Sequence, residues 1–581
     1  MKKESKTNRT FIGGQALMEG VMMQGATSMA MAVRTEEGDV LVETKRLKGK
    51  RWYSRVPILR GCVAFINSLI TGTGTLLRSA EVIYPEEETP SKGAYAFSAF
   101  LGIAIAIVLF MLLPSYIASL IFPNPTDLGV LWYSLIEGGI RIALFVLYLF
   151  GVSRLKDIRR TFMYHGAEHR TINCFESGAE LTPENVQKCS TRHNRCGTTF
   201  LFFVIIISIL VFSLVTWVIS ELGWNIGTWG RFGVRIVLLP LVAGLSYELL
   251  RFLAVLPDNK FVAIFRAPGL ALQRLTTYPP EIDMAEVAIT SFNLVREMDA
   301  NPDMETRKFG EFTMPELKAL VRKRLVKAGI EEESEVDWLI CAALKIRRGE
   351  IATFGKTDIT QYRKVASLVQ KRESGIPLDY ITGFSEFYGL RLAVSEDVLI
   401  PRLDTEIVAD EVIKYINSVD KKLAVLDLMT GSGCIALAVA KNTSADVTAS
   451  DISEKTLKVA KSNLKENATV ILSDGFDSID GKFDVIVSNP PYIASEVVDT
   501  LAPDVTCQPR LALDGGEDGL HHYRKIAIDA PSRLNENGML FLEIGYDQRE
   551  SVTAFLQQHF TDIVCKKDYA GNDRVIIARK K

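Results

Sequence analysis

The sequence predicts a multidomain chain: an α-helical membrane domain of about four transmembrane helices, then a small helical bundle and an α/β domain on a doubly wound parallel sheet. Three observations predict it. The 581 residues exceed what a single hydrophobic core usually holds. Apolar residues concentrate between Phe97 and Leu256, whereas the sequence after Met314 has the balance of a soluble protein. From Leu423 onward, strand-like and helix-like stretches alternate as in βαβ units. A net charge of −2 excludes a generally cationic nucleic-acid binder. Eight cysteines without small-domain spacing point to a reduced environment, not a disulfide framework. The N-terminal string lacks a continuous apolar run ending in small residues, so no cleaved signal peptide is expected.

Four stretches are long enough to cross a hydrocarbon core: 97–122, 130–152, 199–220 and 234–256. Four spans put both termini on one side. Lys48, Arg51, Arg55 and Arg60 precede the first span, and Arg154, Lys156, Arg159 and Arg160 lie between the second and third. The other two connections, Asn124 to Asp127 and Glu221 to Gly230, are nearly free of basic residues. The positive-inside rule then predicts a multi-pass protein of the cell membrane with both termini cytoplasmic. Arg141, Arg235, Glu248 and Arg251 fall in or beside the spans and are expected to pair internally or to snorkel to the interface.

The loop between spans two and three holds His165, Glu168, His169, His193 and Cys196, three of the chain's six histidines among them. On a helix, His165 and His169 at i, i+4 face one way, with Glu168 beside them as a candidate base. The set could hold Zn²⁺, with His193 or Cys196 completing it. The alternative is a polar loop whose histidines hydrogen-bond at the membrane surface. With GGQALMEGVMM, Leu59-Arg60-Gly61, HGAEHRT and RCGTTF in view, the membrane domain, residues 1–298, resembles from about Phe11 to Met298 the YqhQ-like family of uncharacterised membrane proteins. That resemblance carries no activity, so a metal-dependent enzyme and a non-enzymatic scaffold both stay open for this half.

Residues 299–312 read as a polar linker. Apolar residues at helical spacing over 313–380, including Leu317, Leu320, Val321, Leu325, Trp338 and Leu339, predict the bundle. Residues 381–581 form the α/β domain. Its first strand, LAVLDL, runs into Met429, Thr430, Gly431, Ser432 and Gly433, a glycine turn of the kind that lets a cofactor approach the backbone at a strand's carboxyl end. The second strand ends at Asp451, placed to accept hydrogen bonds from ribose hydroxyls. The third ends at Asp474 and Gly475, either beside an adenine or as a simple acidic turn.

A fourth strand, FDVIVSN, delivers Asn489, Pro490, Pro491 and Tyr492. An amide nitrogen is a poor nucleophile because its lone pair is delocalised. If the Asn489 oxygen and the Pro490 carbonyl each accept one of its hydrogens, the lone pair can be aimed at an electrophile, with Tyr492 packing on the flat amide. On its own N-P-P-Y could be a strand-ending turn. Following a glycine turn and an acidic strand end, it predicts methyl transfer to a planar nitrogen, with Asn489 touching both cofactor and substrate.

Together with ITGFSEFYGL, LIPRLDTE, DLMTGSGCIALAVA, PRLALDGGEDGL and the EIG at Glu543, this stretch resembles the release-factor glutamine N5-methyltransferases. The resemblance implies a Rossmann-like class I methyltransferase domain that uses S-adenosyl-L-methionine, and peptide chain release factors as partners, methylated on the glutamine of their Gly-Gly-Gln motif. It also implies that Met429 to Gly433, Asp451 and Gly475 contact the cofactor, and that Asn489 to Tyr492 hold the glutamine. Met429 departs from a common glycine, and Leu403 interrupts the more usual PRPDTE. Arg402, Thr405 and Glu406 are expected to order the site entrance, and His521 with His522 to form a surface pair. The runner-up is a DNA adenine N6-methyltransferase, which shares the N-P-P-Y motif. It should carry a basic surface, yet Asp and Glu outnumber Lys and Arg from Thr306 onward, so no direct nucleic-acid contact is expected. Gly13-Gly14-Gln15 is itself a Gly-Gly-Gln tripeptide, which raises self-methylation at Gln15 against the reading of a glycine turn.

Overall fold

A computed structural model of the chain describes residues 9–49, 52–84, 92–122, 129–193, 196–224, 228–256 and 260–581. The chain divides into two compact units, Met1–Glu311 and Phe312–Lys581.

In the first unit, Phe100–Ile121, Trp132–Val152, Gly197–Glu221 and Phe232–Leu253 are helices long and apolar enough to cross a membrane. They fall within a few residues of the stretches expected from hydropathy. A π turn at Val108–Leu112 interrupts the first of them just before Pro114. Proline lacks an N–H and crowds the carbonyl four residues back, and a wider turn there relieves both. Polar groups in the spans pair internally. Glu137 accepts from both Arg235 nitrogens at 2.6 and 2.8 Å, from Arg141 at 3.1 Å and from the Ser115 hydroxyl at 2.7 Å. Glu248 takes a two-pronged pair from Arg60, on the neighbouring helix Leu59–Ile83. The connection at 123–128 and Arg51 lie outside the described residues.

The first unit also contains an antiparallel sheet that hydropathy did not reveal: β1 (Gly13–Leu17), β2 (Gly20–Gln24), β3 (Ser28–Arg34) and β4 (Val40–Arg46), in that order. It packs on the helices Lys156–Glu176 and Ile282–Ala300, burying Met23, Tyr164 and Phe292 completely. Gly13-Gly14-Gln15 therefore lies in a strand, with Gln15 opposite Met22, and not in a turn. A Cβ on Gly14 would come within 2.5 Å of the Met22 carbonyl oxygen and 3.0 Å of Glu168 Cδ, so glycine lets β1 press onto that carboxylate. The Gln15 amide donates to the Gly72 carbonyl at 3.3 Å. The 299–312 stretch is irregular after Ala300 and is tied down. Asp299 accepts from Ala26, Thr27 and Ser28, Arg46 donates to the Met298, Asn301 and Met304 carbonyls, and Phe309 is buried.

In the second unit, Thr313 and Glu316 form a capping box that starts the helix Met314–Lys327. Leu317, Val321 and Leu325 are buried where this helix packs against Glu333–Leu344, which buries Leu339 and Ile340, and Ile359–Glu373, which buries Val365 and Val369. A short hairpin, β5 (Phe384–Phe387) and β6 (Leu390–Ala393), follows. The main sheet has seven strands: β7 (Ala424–Leu428), β8 (Asp446–Asp451), β9 (Thr469–Leu472), β10 (Phe483–Ser488), β11 (Leu534–Glu543), β12 (Phe560–Lys567) and β13 (Asp573–Lys580), ordered β12-β13-β11-β10-β7-β8-β9. Five strands, β7 to β11, pair in parallel, as alternation predicted. β13 is antiparallel to both β11 and β12, which leaves β12 pointing the same way as the first five and makes the sheet mixed. Alternate residues serve opposite faces: Val425, Val485 and Val487 join one core, Leu426, Ile486 and Leu540 the other.

Candidate active site

From β7 the chain winds outward through β8 and β9, then returns to β10 on the other side of β7. A crevice opens where the winding reverses, at the carboxyl ends of these neighbouring strands, the position at which open α/β sheets bind ligands. The glycine turn leaves β7 and Asn489-Pro490-Pro491-Tyr492 leaves β10, so the two motifs, far apart in sequence, flank one crevice.

Two clefts meet there. The smaller, of about 370 Å³, is lined by Met429, Thr430, Gly431, Ser432, Asp451, Asp474, Gly475, Asn489 and Pro491. The larger, of about 820 Å³, is lined by Asn489, Pro490 and Tyr492 with Glu543, Arg574 and Trp338. Asn489 lines both. Gly433 lines neither: at φ +82° it begins the helix Cys434–Asn442, and Leu464 sits 3.1 Å from where its Cβ would be. His522, expected on the surface, lines the smaller cleft, and burial holds its imidazole below the ordinary value.

The smaller cleft fits a nucleoside-type cofactor. Gly431 and Gly475 both have φ +56° and open space where a Cβ would stand, so their backbones form part of the cleft wall. Met429 takes φ +61° with a full side chain, which explains why glycine is common at that position. Asp451 accepts from Gly431 N at 3.1 Å and Ser453 N at 3.0 Å, and burial raises its carboxyl above the ordinary value. Asp427 was not singled out by the sequence. Wholly buried, it accepts from the Thr430 hydroxyl at 2.6 Å and Ala436 N at 3.0 Å, clamping the glycine turn to the following helix, and burial pushes its carboxyl up to about 7. An aspartate inside an otherwise apolar strand was the available signal.

At the junction of the clefts, Asn489 Nδ2 donates to the Thr405 hydroxyl at 3.1 Å. Glu543, buried at the end of β11, lies beside both, and burial pushes its carboxyl up to about 7 against their pull. Committing Nδ2 in this way fixes the amide's orientation and leaves Oδ1 as its acceptor. The backbone after Asn489 is gripped from outside. Ile493 N donates to Leu513 O, and Gly515 N to Ile493 O. A Cβ on Gly515 would come within 2.8 Å of the Pro491 carbonyl, and one on Gly519 within 2.4 Å of the Tyr492 carbonyl, so the LDGGEDGL loop can lie directly on the turn. Gln548 Nε2 donates to the Tyr492 carbonyl at 2.9 Å. Arg402 lines both clefts, Leu403 is exposed at the mouth of the larger one, and Glu406 accepts from Tyr388 N at 2.6 Å.

The family described as "PrmC N-terminal domain" matches residues 316–383, and "Methyltransferase small domain" matches 412–517. "Protein of unknown function (DUF1385)" matches 56–298. The release factor glutamine methyltransferase of Agrobacterium fabrum is 40% identical over 292 residues, 47% of this chain and 99% of that protein. That of Geobacter sulfurreducens is 38% identical over 284 residues, 47% of this chain and 99% of that protein. Through its second unit the chain belongs to the release factor glutamine methyltransferase family. The uncharacterized protein YqhQ of Bacillus subtilis is 33% identical over 303 residues, 50% of this chain and 93% of that protein, which places the first unit among YqhQ-like proteins.

The histidine-rich loop of the YqhQ-like unit forms a second cluster. Ligand atoms of His165, His169 and Cys196 all lie within 4.8 Å of one another. Glu168 and His193 stand outside that group: His193 faces Glu176 at 3.7 Å, and Glu168 is buried against Gly14.

Proposed function

We propose that the second unit transfers a methyl group to the side-chain amide nitrogen of a glutamine in peptide chain release factors, the substrate named for its relatives. The observation that carries this reading is Asn489 at the junction of two clefts, its amide oriented by Thr405. S-adenosylmethionine, when bound, supplies an electrophilic methyl on a sulfonium. Asp451 would hold the ribose and the backbone at Gly431 and Gly475 would border the nucleoside. Asn489 Oδ1 and the Pro490 carbonyl would accept the two amide hydrogens, and Tyr492 would pack on the amide face. The chain's contribution is orientation and fixed dipoles. The reading also places the spans in the cell membrane, with Lys48, Arg55, Lys156 and Arg159 on the cytoplasmic side, where release factors and cofactor are found.

Labelled methyl transfer, with purified release factors and genomic DNA side by side, tests the proposal. Label is expected on the glutamine of the Gly-Gly-Gln motif and absent from DNA; labelled adenine instead would establish the runner-up. The chain's own tripeptide is expected to stay unmodified. Gln15 is half-buried in β1 and its amide donates to the Gly72 carbonyl at 3.3 Å, a bond that methylation would have to break. Peptide mass spectrometry checks this, and a methylated Gln15 in active protein would contradict it.

A further inference from the structure

We propose that His165, His169 and Cys196 form a binding site for one zinc-type divalent ion in the YqhQ-like unit, independent of methyl transfer. The two imidazoles lie one helical turn apart on Lys156–Glu176, with ring centroids 4.5 Å apart. Each turns Nδ1 to a backbone carbonyl: His165 to Thr276 at 2.8 Å, His169 to Thr191 at 2.6 Å. A carbonyl can only accept, so both rings carry their proton on Nδ1 and present a bare lone pair at Nε2. This is the tautomer and the outer support that metal-bound histidines characteristically have.

Cys196 completes the triad from another element. Its Sγ lies 3.3 Å from His165 Nε2. A tetrahedral ion with ordinary Zn–N and Zn–S bonds separates its ligand atoms by roughly 3.3–3.6 Å. The thiol is buried at the N-cap of Gly197–Glu221, where Thr198 N donates to sulfur at 3.4 Å. Gln273, wholly buried, holds the His193 backbone: its amide donates to the His193 carbonyl at 2.8 Å and accepts from His193 N at 3.0 Å. One ion would engage all three ligand atoms, which lie within 4.8 Å of one another.

Three protein ligands leave a tetrahedral ion one position for water, the arrangement of catalytic rather than closed structural zinc sites. Glu168 lies between the two histidines on the same helix. It is 4% exposed, and one of its carboxylate oxygens has no hydrogen-bond partner. Its carboxylate is not among the clustered ligand atoms, and neither is the His193 ring, which faces Glu176 at 3.7 Å.

The test uses the full chain, purified in detergent, stripped with a chelator and reloaded with zinc. Elemental analysis is expected to find about one zinc per chain, falling to less than about a tenth in Cys196→Ser and in His169→Ala. His193→Ala and Cys507→Ser are expected to keep it. Reloading with Co²⁺ is expected to give a thiolate-to-cobalt charge-transfer band that Cys196→Ser abolishes, a readout that does not depend on any activity. Unchanged methyl transfer and circular dichroism in Cys196→Ser would show that the protein remains folded. Wild-type protein that takes up no zinc, or Cys196→Ser protein that binds as much as wild type, overturns the proposal.

Discussion

Asn489→Ala is expected to lower kcat for methyl transfer by about 10²- to 10³-fold, the usual effect of removing one preorganised hydrogen-bonding group from a reacting centre. Because the amide would act on the reacting nitrogen and only border the cofactor cleft, cofactor affinity measured by calorimetry should change far less. Asn489→Asp separates orientation from charge. The aspartate keeps an acceptor of the same shape but cannot donate to the Thr405 hydroxyl, and it adds a carboxylate beside Glu543, itself already held up to about 7 by burial. One of the two acids is then expected to hold a proton, and the acceptor is no longer fixed. A large loss of kcat is therefore expected in this variant as well. Thr405→Val frees Nδ2 without touching the substrate. A fall in kcat of about tenfold with KM nearly unchanged is expected, because one weak neutral hydrogen bond orients the amide. Full single-turnover rates in Asn489→Asp would dismiss the geometric account of the site.

How much of this was legible before folding depends on whether the determinants are contiguous. The spans were, because length and hydropathy decide them together. So were the glycine turn, Asp451 and the N-P-P-Y turn, each a short string at a strand end whose convergence follows from parallel winding. Thr405 was expected only to order the entrance; its bond to Asn489 joins residues 84 positions apart and leaves no local trace. Gly433 misled because the turn reads as one motif, while only its first part faces the cleft. The β1–β4 sheet was invisible for a different reason. Six of the seven residues of β3, SMAMAVR, are buried, so the strand shows no polar alternation, and Met and Ala carry little strand preference. Sequence could not choose between His193 and Cys196, because both are near in number; in the structure Gln273 holds the His193 backbone and Cys196 lies against His165.

Glu137→Ala is expected to destabilise the membrane unit by about 3–5 kcal/mol, the scale on which removing one member of a buried ion pair strands the other. The sequence marked Arg141 and Arg235 but not the acid that holds them. Glu137 engages two guanidinium groups and the Ser115 hydroxyl from inside the helix Val130–Val152, with 4% of its side chain exposed. In wild type the three ionised groups sum to +1. Removing the acid leaves +2 in surroundings that cannot hydrate it, whereas Arg235→Leu leaves a neutral Glu137–Arg141 pair. Charge thus predicts that Glu137→Ala is the least stable of the three, below both wild type and Arg235→Leu. The double variant Glu137→Ala/Arg235→Leu should recover part of the loss, since only one arginine then remains unmatched. Thermal unfolding in detergent, followed by size-exclusion chromatography, reads the order directly. If Glu137→Ala melts with wild type, or above Arg235→Leu, the cluster contributes nothing through charge.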